Sequence, residues 1–248
     1  MFSKPTQPDR LIPRFALLLA AMGTLTGCQA ITSPATETQV RIIDASPDAP
    51  GLDIYQGSSP LAYNLGFGTV TSYIQLTPGL LTINADTAGT KQVLSSSRST
   101  FAATTQYTVL IGNAAASLQQ LTLTDQSQPA PSGQIALRFI DQATRITSVD
   151  IYLVPAGQKL TATPPLLTGI GFGINTGYLN IPNGAYTIIV LPAGTIPVSS
   201  TTASYTGPQV TYTSGSARTI ILIDQQLVTT PGLQVITADD FDSPVATS

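Results

Sequence analysis

The stretch Leu65-Gly66-Phe67-Gly68-Thr69-Val70-Thr71-Ser72-Tyr73-Ile74-Gln75-Leu76-Thr77-Pro78-Gly79 returns later as Ile170-Gly171-Phe172-Gly173-Ile174-Asn175-Thr176-Gly177-Tyr178-Leu179-Asn180-Ile181-Pro182-Asn183-Gly184. Six of the fifteen positions are identical, among them both glycines of Gly-Phe-Gly, the Phe and the Tyr. This is an internal duplication, and self-similarity of this kind decides an architecture before any single element does.

Working outward, Val40-Arg41-Ile42-Ile43-Asp44 matches Leu137-Arg138-Phe139-Ile140-Asp141, and Leu52-Asp53-Ile54-Tyr55 matches Val149-Asp150-Ile151-Tyr152, at one constant offset. Between Tyr152 and Gly171 the offset lengthens. A net insertion therefore falls in the Pro-bearing loop around Thr161 to Leu167, and surface loops are where added residues are tolerated.

Within the organising stretch, Tyr73-Ile74-Gln75-Leu76 alternates, and Leu81-Thr82-Ile83-Asn84-Ala85 alternates again after Thr77-Pro78-Gly79. A period of two is a strand signal. Pro followed by Gly suits a type II turn, so the spacing predicts a hairpin. A Gly/Thr/Ser-rich segment follows, then Tyr107 to Ile111 and Leu118 to Leu123 as closing strands. Tyr186 to Leu191 and Arg218 to Ile223 are the counterparts of the Leu81 and Tyr107 strands. No stretch carries an apolar stripe of helical period with caps. Short strands with frequent turn signals predict an all-β chain of two tandem antiparallel β-sandwich domains, Ig-like or transthyretin-like.

The polar run 127–133, bearing two prolines, is the expected linker between repeats at 40–126 and 134–243. The acidic run Ala238-Asp239-Asp240-Phe241-Asp242 is expected to fray towards a tail at 244–248.

Composition agrees with β structure. Only 9% of the 248 residues are charged and 42% are hydrophobic, so Ser, Thr, Asn and Gln must supply the polar surface. The first 27 residues hold Lys4, Arg10 and Arg14 against Asp9, so the formal charge of −3 becomes −5 without them (−3 less +2). An acidic chain with scattered basic residues offers no track for phosphates, which excludes nucleic acid as a partner. The chain has no His and one Cys. Histidine bases, His-ligated zinc and an internal disulfide are excluded by inventory.

Lys4, Arg10 and Arg14 precede the apolar run Phe15 to Met22, and Leu25-Thr26-Gly27-Cys28 follows. A basic start with so short an apolar run reads as a secretory signal over 1–27. Leu25 to Cys28 resembles the lipobox of bacterial lipoproteins. That resemblance implies cleavage before Cys28, diacylation of its thiol and a further acyl chain such as palmitate on its new amino group. Each buried CH₂ contributes about 0.8 kcal/mol, and two or more chains make anchoring stable. Gln29 stands where Asp would resemble an inner-membrane retention signal, so by resemblance an exported lipoprotein is expected, in the outer membrane of a Gram-negative cell, on its periplasmic or surface face. Residues 28–39 read as a flexible tether.

Arg41-Ile42-Ile43-Asp44-Ala45-Ser46-Pro47-Asp48-Ala49-Pro50-Gly51-Leu52-Asp53-Ile54-Tyr55, then Gly-Phe-Gly, Tyr73 and Thr77-Pro78-Gly79, resemble the bacterial domain of unknown function family DUF4397. The first repeat matches its motif closely. The second departs, carrying Gln142-Ala143-Thr144-Arg145-Ile146 where Ser-Pro-Asp-Ala-Pro would stand. The resemblance extends over nearly all of the chain beyond Cys28. It implies an envelope-associated β-sandwich and brings no activity with it.

Several groups are candidates for chemistry. Asp44, Asp48 and Asp53 fall largely in one loop, and clustered oxygen ligands on a loop are what Ca²⁺ uses. The alternative reading gives Asp48 to a turn and lets Asp44 and Asp53 cap strand ends or pair with Arg41. Because the second repeat keeps Asp141 and Asp150 without a match to Asp48, the structural pairing is expected and no metal or other cofactor is. Serines are plentiful, but no His and no Ser-x-x-Lys arrangement stands ready to activate one. Gly66-Phe67-Gly68 and Gly171-Phe172-Gly173 run into no helix, so they are expected to be tight bends with Phe plugged into the core rather than phosphate loops. Tyr55, Tyr63 and Tyr152 could stack on sugars, although strand tyrosines flanking the core are the simpler reading. The expected function is a non-catalytic interaction or structural module of the cell envelope, held to the membrane by Cys28, with an envelope protein or a glycan as partner.

Overall fold

A computed structural model describes residues 37–226 and 232–242. The lipidation motif at Cys28, the signal segment and the tail at 244–248 lie outside the described residues.

In the first repeat, an inner sheet runs in the order β4 (Ile74–Leu76), β1 (Thr38–Asp44), β7 (Gln106–Gly112), β8 (Gln119–Thr124). An outer sheet runs β3 (Ser59–Leu65), β2 (Leu52–Gln56), β5 (Gly79–Thr87), β6 (Val93–Phe101). The second repeat copies both. Its inner sheet is β12 (Asn175–Pro182), β9 (Gln134–Asp141), β15 (Ala217–Asp224), β16 (Leu233–Phe241), and its outer sheet is β11 (Leu167–Ile170), β10 (Val149–Pro155), β13 (Gly184–Pro192), β14 (Tyr205–Tyr212). The chain is all-β, in two four-on-four sandwiches. Among the described pairings, two are parallel, β1 with β7 and β9 with β15, and the rest are antiparallel.

The predicted hairpin around Pro78 does not form. β4 pairs with β1 in the inner sheet, whereas β5 pairs with β2 and β6 in the outer one. Thr77 and Pro78 arch from one sheet to the other, and Gly79 takes φ +143°, a conformation that suits glycine. Alternation along two neighbouring strands shows that each has a buried face; it does not say that they bury it in the same sheet. β6 and β14 come from Ser/Thr-rich segments whose composition carries only a weak strand signal.

Val40, Ile42, Leu52, Ile54, Ile83, Phe101, Val109 and Ile111 fill the first sandwich. Leu137, Phe139, Val149, Ile151, Val190, Ile220 and Leu222 fill the second. A third core lies between the two inner sheets: Ile43, Leu110 and Leu123 from one repeat meet Ile140, Ile221, Ile223 and Ile236 from the other. The described residues are thus a four-layer stack forming one compact unit. The inner strands are buried on both faces, which is why they read as unbroken apolar runs such as Thr219-Ile220-Ile221-Leu222-Ile223.

Two expected loose segments are held. Ala130, in the polar run between the repeats, is buried against Ala136, Ala217, Tyr178 and Phe241, and its N–H donates to the Gly215 carbonyl at 2.9 Å. The run predicted to fray supplies the end of β16, with Ala238 and Asp240 buried. A segment paired along β15 as far as Phe241 is not free to fray.

Candidate functional site

The interface between the inner sheets holds a buried polar cluster that the two repeats build reciprocally. Parallel pairing sets Arg41 beside Thr108 and Arg138 beside Thr219. Arg41 Nε donates to Thr108 Oγ1 at 2.8 Å, and Arg138 Nε to Thr219 Oγ1 at 3.0 Å. Each guanidinium then crosses to the other repeat. Arg41 Nη1 donates to the Asp239 carbonyl at 2.8 Å and Nη2 to the Asp240 carboxylate. Arg138 Nη1 donates to the Thr124 carbonyl at 2.9 Å and Nη2 to Asp125 Oδ1 at 2.6 Å.

The carboxylates are completed from their own repeats. Asp125 Oδ2 accepts from Thr108 at 2.6 Å and from Tyr73 at 2.8 Å; Asp240 Oδ2 accepts from Thr219 at 2.6 Å and from Tyr178 at 2.8 Å. Tyr73 and Tyr178 also lie face-on to Arg41 and Arg138, 4.9 and 4.7 Å from ring centroid to guanidinium carbon, close enough for cation–π attraction.

Burial by itself would lower the Arg41 pKa, but Asp240 and Asp125 outweigh it and the guanidinium is held above its usual value. Burial raises the Tyr73 and Tyr178 hydroxyls, with Asp125 and Asp240 adding to it, so both remain protonated donors. The arrangement is a two-fold-like lock whose charges are matched inside it. It has no spare nucleophile or proton acceptor.

Arg41 therefore pairs with Asp240 and Asp125, not with Asp44 or Asp53 as the sequence suggested. Asp44 is buried, and its Oδ1 accepts from the Ser46 N–H at 2.9 Å; Asp141 Oδ1 does the same with the Ala143 N–H at 2.8 Å. Burial pushes Asp44 up to about 7 against the Ser46 hydrogen bond, and Asp141 up to about 6. Asp48 accepts from the Ala115 N–H. Asp53 accepts from the N–H groups of Asn64 and Gly89, as Asp150 does from those of Gly169 and Gly194. The three loop aspartates are thus tied to three different segments. Among the described residues, no three carboxylates converge as a metal site would require.

The Gly-Phe-Gly turns behave unequally. In both, the second glycine has positive φ and donates to the carbonyl of the buried aspartate, Gly68 to Asp44 and Gly173 to Asp141, each at 2.8 Å. Phe67 packs against the core between the inner sheets, whereas Phe172 keeps 43% of its surface exposed. The plug expected in both repeats exists in the first.

The outer sheets also differ. Tyr152 is buried with Val154 and Leu191 beneath Leu160, Ile189 and Ala203. Leu160 belongs to a short 3-10 turn, Leu160–Ala162, within the inserted loop. On the first repeat, Tyr55 is covered instead by Lys91, whose Nζ lies 4.0 Å from the ring centroid, and meets Tyr63 edge-on at 6.2 Å. Two shallow cavities lie along the junction of the repeats. One, about 450 Å³, is lined by Arg41, Val70, Tyr73, Thr237 and Asp239; the other, about 280 Å³, by Pro47, Asp48, Ala114, Thr144 and Arg145.

Residues 38–152 match the family Domain of unknown function (DUF4397). This is the family that the Arg41 to Tyr55 motif resembles. The DUF4397 match spans the first sandwich and ends in β10, so most of the second repeat lies beyond it and the resemblance read over nearly the whole chain is narrower than expected. No curated protein matches the chain.

Three solved structures are similar at low TM-score. A streptococcal virulence factor described as binding alpha-glucan has 11% identity and a TM-score of 0.23, covering 62% of this chain and 80% of its own. A family CBM26 module from Eubacterium rectale, in complex with maltoheptaose, has 12% identity and a TM-score of 0.26, covering 82% and 98%. A putative cell adhesion protein from Bacteroides fragilis has 10% identity and a TM-score of 0.21, covering 84% and 100%. Likenesses of that size carry no argument about what this chain binds.

Proposed function

We propose that the chain is a lipid-anchored bacterial envelope protein whose two DUF4397-like sandwiches act together as one rigid, non-catalytic interaction module. One observation carries this reading: the carboxylates marked out by the sequence are consumed in holding the fold. Asp44, Asp48, Asp53, Asp141 and Asp150 accept backbone N–H groups, and Asp125 and Asp240 bind the crossing arginines. With histidine absent from the chain, a histidine general base or a histidine-activated nucleophile is excluded. Anchoring through acyl chains on Cys28 and an outer-membrane location rest on the lipobox resemblance.

The experiment is protease digestion of intact cells, with a periplasmic protein as lysis control and Cys28→Ala to remove the anchor. The proposal expects the native chain to fractionate with membranes and the variant to become soluble. A native chain that is soluble, or a Cys28→Ala chain that remains in the membrane, overturns the anchoring. Digestion without lysis assigns the module to the cell surface, and protection to the periplasm.

A glycan is the second reading of the partner. It is favoured by the aromatic and polar face around Tyr55, Tyr63 and Lys91, since sugar-binding surfaces combine rings with hydrogen-bonding groups.

A further inference from the structure

Duplication makes the two outer sheets equivalent, yet their solvent faces have opposite character. In the second repeat, Tyr152 is the ladder partner of Ile189 and Asp150 of Leu191. Tyr152, Ile189 and Leu191 form an apolar patch there, and the chain's own inserted turn and the segment at Ala203 pack on it. In the first repeat, the same positions pair Tyr55 with Asn84 and Asp53 with Asp86, and Asn84 continues to Ser96 on β6. Two apolar residues thus stand in one copy where an amide and a carboxylate stand in the other. The first copy has no counterpart of the inserted turn. Where the second repeat supplies its own cover, the first presents Tyr63, Lys91 and Ser96 to solvent.

Those groups are arranged around one exposed ring. Tyr63 keeps 65% of its surface exposed and stands at 86° to the Tyr55 ring, 6.2 Å between centroids. Lys91 is exposed, with its ammonium over Tyr55. Ser96 Oγ donates to Asn84 Oδ1 at 2.7 Å, which leaves the Asn84 NH₂ to donate elsewhere. Asp86, almost fully buried, has a carboxylate oxygen with no hydrogen-bond partner.

We propose that this face of the first repeat is a saccharide-binding site, with Tyr63 as the stacking ring and Lys91, Asn84 and Ser96 as the groups that bind sugar hydroxyls. A pyranose has an apolar C–H face bordered by hydroxyls. A tyrosine ring covers that face at low entropic cost, and the amide, hydroxyl and ammonium satisfy the border. A single exposed ring among polar groups suits a sugar better than a protein partner, whose interface would need a larger apolar centre. The proposal deepens the glycan form of the module reading and rests on it.

The test is affinity electrophoresis of the full chain through gels containing a soluble α-glucan, a soluble β-glucan or a peptidoglycan digest. Tyr63→Ala, Tyr63→Phe, Lys91→Ala and a remote control, Ile196→Ala, are run alongside, with thermal melts to verify folding. At least one polymer should retard the native chain. Tyr63→Ala should weaken binding by about tenfold, the size expected for loss of one stacked ring, while Tyr63→Phe and Ile196→Ala keep it. Retardation undiminished by Tyr63→Ala overturns this site and leaves glycan binding standing. Absence of retardation by all three polymers overturns both.

Discussion

Arg138 Nη2 lies 2.6 Å from Asp125 Oδ1, and the two residues belong to different repeats. With Arg41 and Asp240 it forms a reciprocal pair of crossings, as in a two-fold dimer whose halves share one chain. Removing one partner leaves a buried charge unmatched. Arg138→Ala is expected to cost about 3–5 kcal/mol, read from denaturant midpoints. The double variant Asp125→Ala with Arg138→Ala should cost less than the sum of the singles, because the two share one network. Strict additivity would show that the pair does not interact.

The repeats should melt together. Their interface buries Ile43, Leu110, Ile140 and Ile221 fully or almost so, and each fully buried aliphatic side chain contributes about 1.5–3 kcal/mol. Calorimetry of the chain is expected to give one transition with equal calorimetric and van't Hoff enthalpies. Two resolved transitions would mean that the inner sheets do not couple.

Asp44 should make stability fall with rising pH. Its folded pKa, about 7, lies above the ordinary 3.8 because burial disfavours the charge. Between those values the folded chain holds the proton more firmly than the unfolded chain, so raising the pH through this window destabilises it. Asp141 adds the same sign up to about 6. Asp44→Asn keeps an acceptor for the Ser46 N–H and should flatten the slope between pH 4 and 7, measured as melting temperature against pH. An unchanged slope would assign the pH dependence elsewhere.

Glycines at the two ends of the organising stretch should respond differently. Gly79 has φ +143°, and a methyl added there would stand in open space, so Gly79→Ala meets backbone strain alone. A cost of about 1–3 kcal/mol is expected. Gly66 has no positive φ and equally open surroundings, and Gly66→Ala should stay within about 0.5 kcal/mol. Equal effects in denaturant titrations would contradict the arch at Pro78.

Much of the candidate site was present in the sequence as paired identities. Arg41 and Arg138, Tyr73 and Tyr178, Thr108 and Thr219, and Asp125 and Asp240 occupy matching places in the repeats. The apolar runs around Ile43, Leu110, Ile140 and Ile221 also carried the mark of strands buried on both faces. What was missing was the reach of the two arginines: Asp44 and Asp53 lie nearer to Arg41 in the chain than Asp240 does, and proximity in sequence suggested the wrong partner.

The sequence alone determined the duplication, the all-β character and the two sandwiches, because alternation, turn residues and self-similarity are local properties written along the chain. Only the tertiary structure decided that β4 and β5 part into opposite sheets, that the inner sheets pack into a third core, and that each arginine is neutralised by the other repeat. Those outcomes depend on which buried faces and charges meet across long separations. A period of two specifies that a face is buried, and packing alone selects the face that covers it.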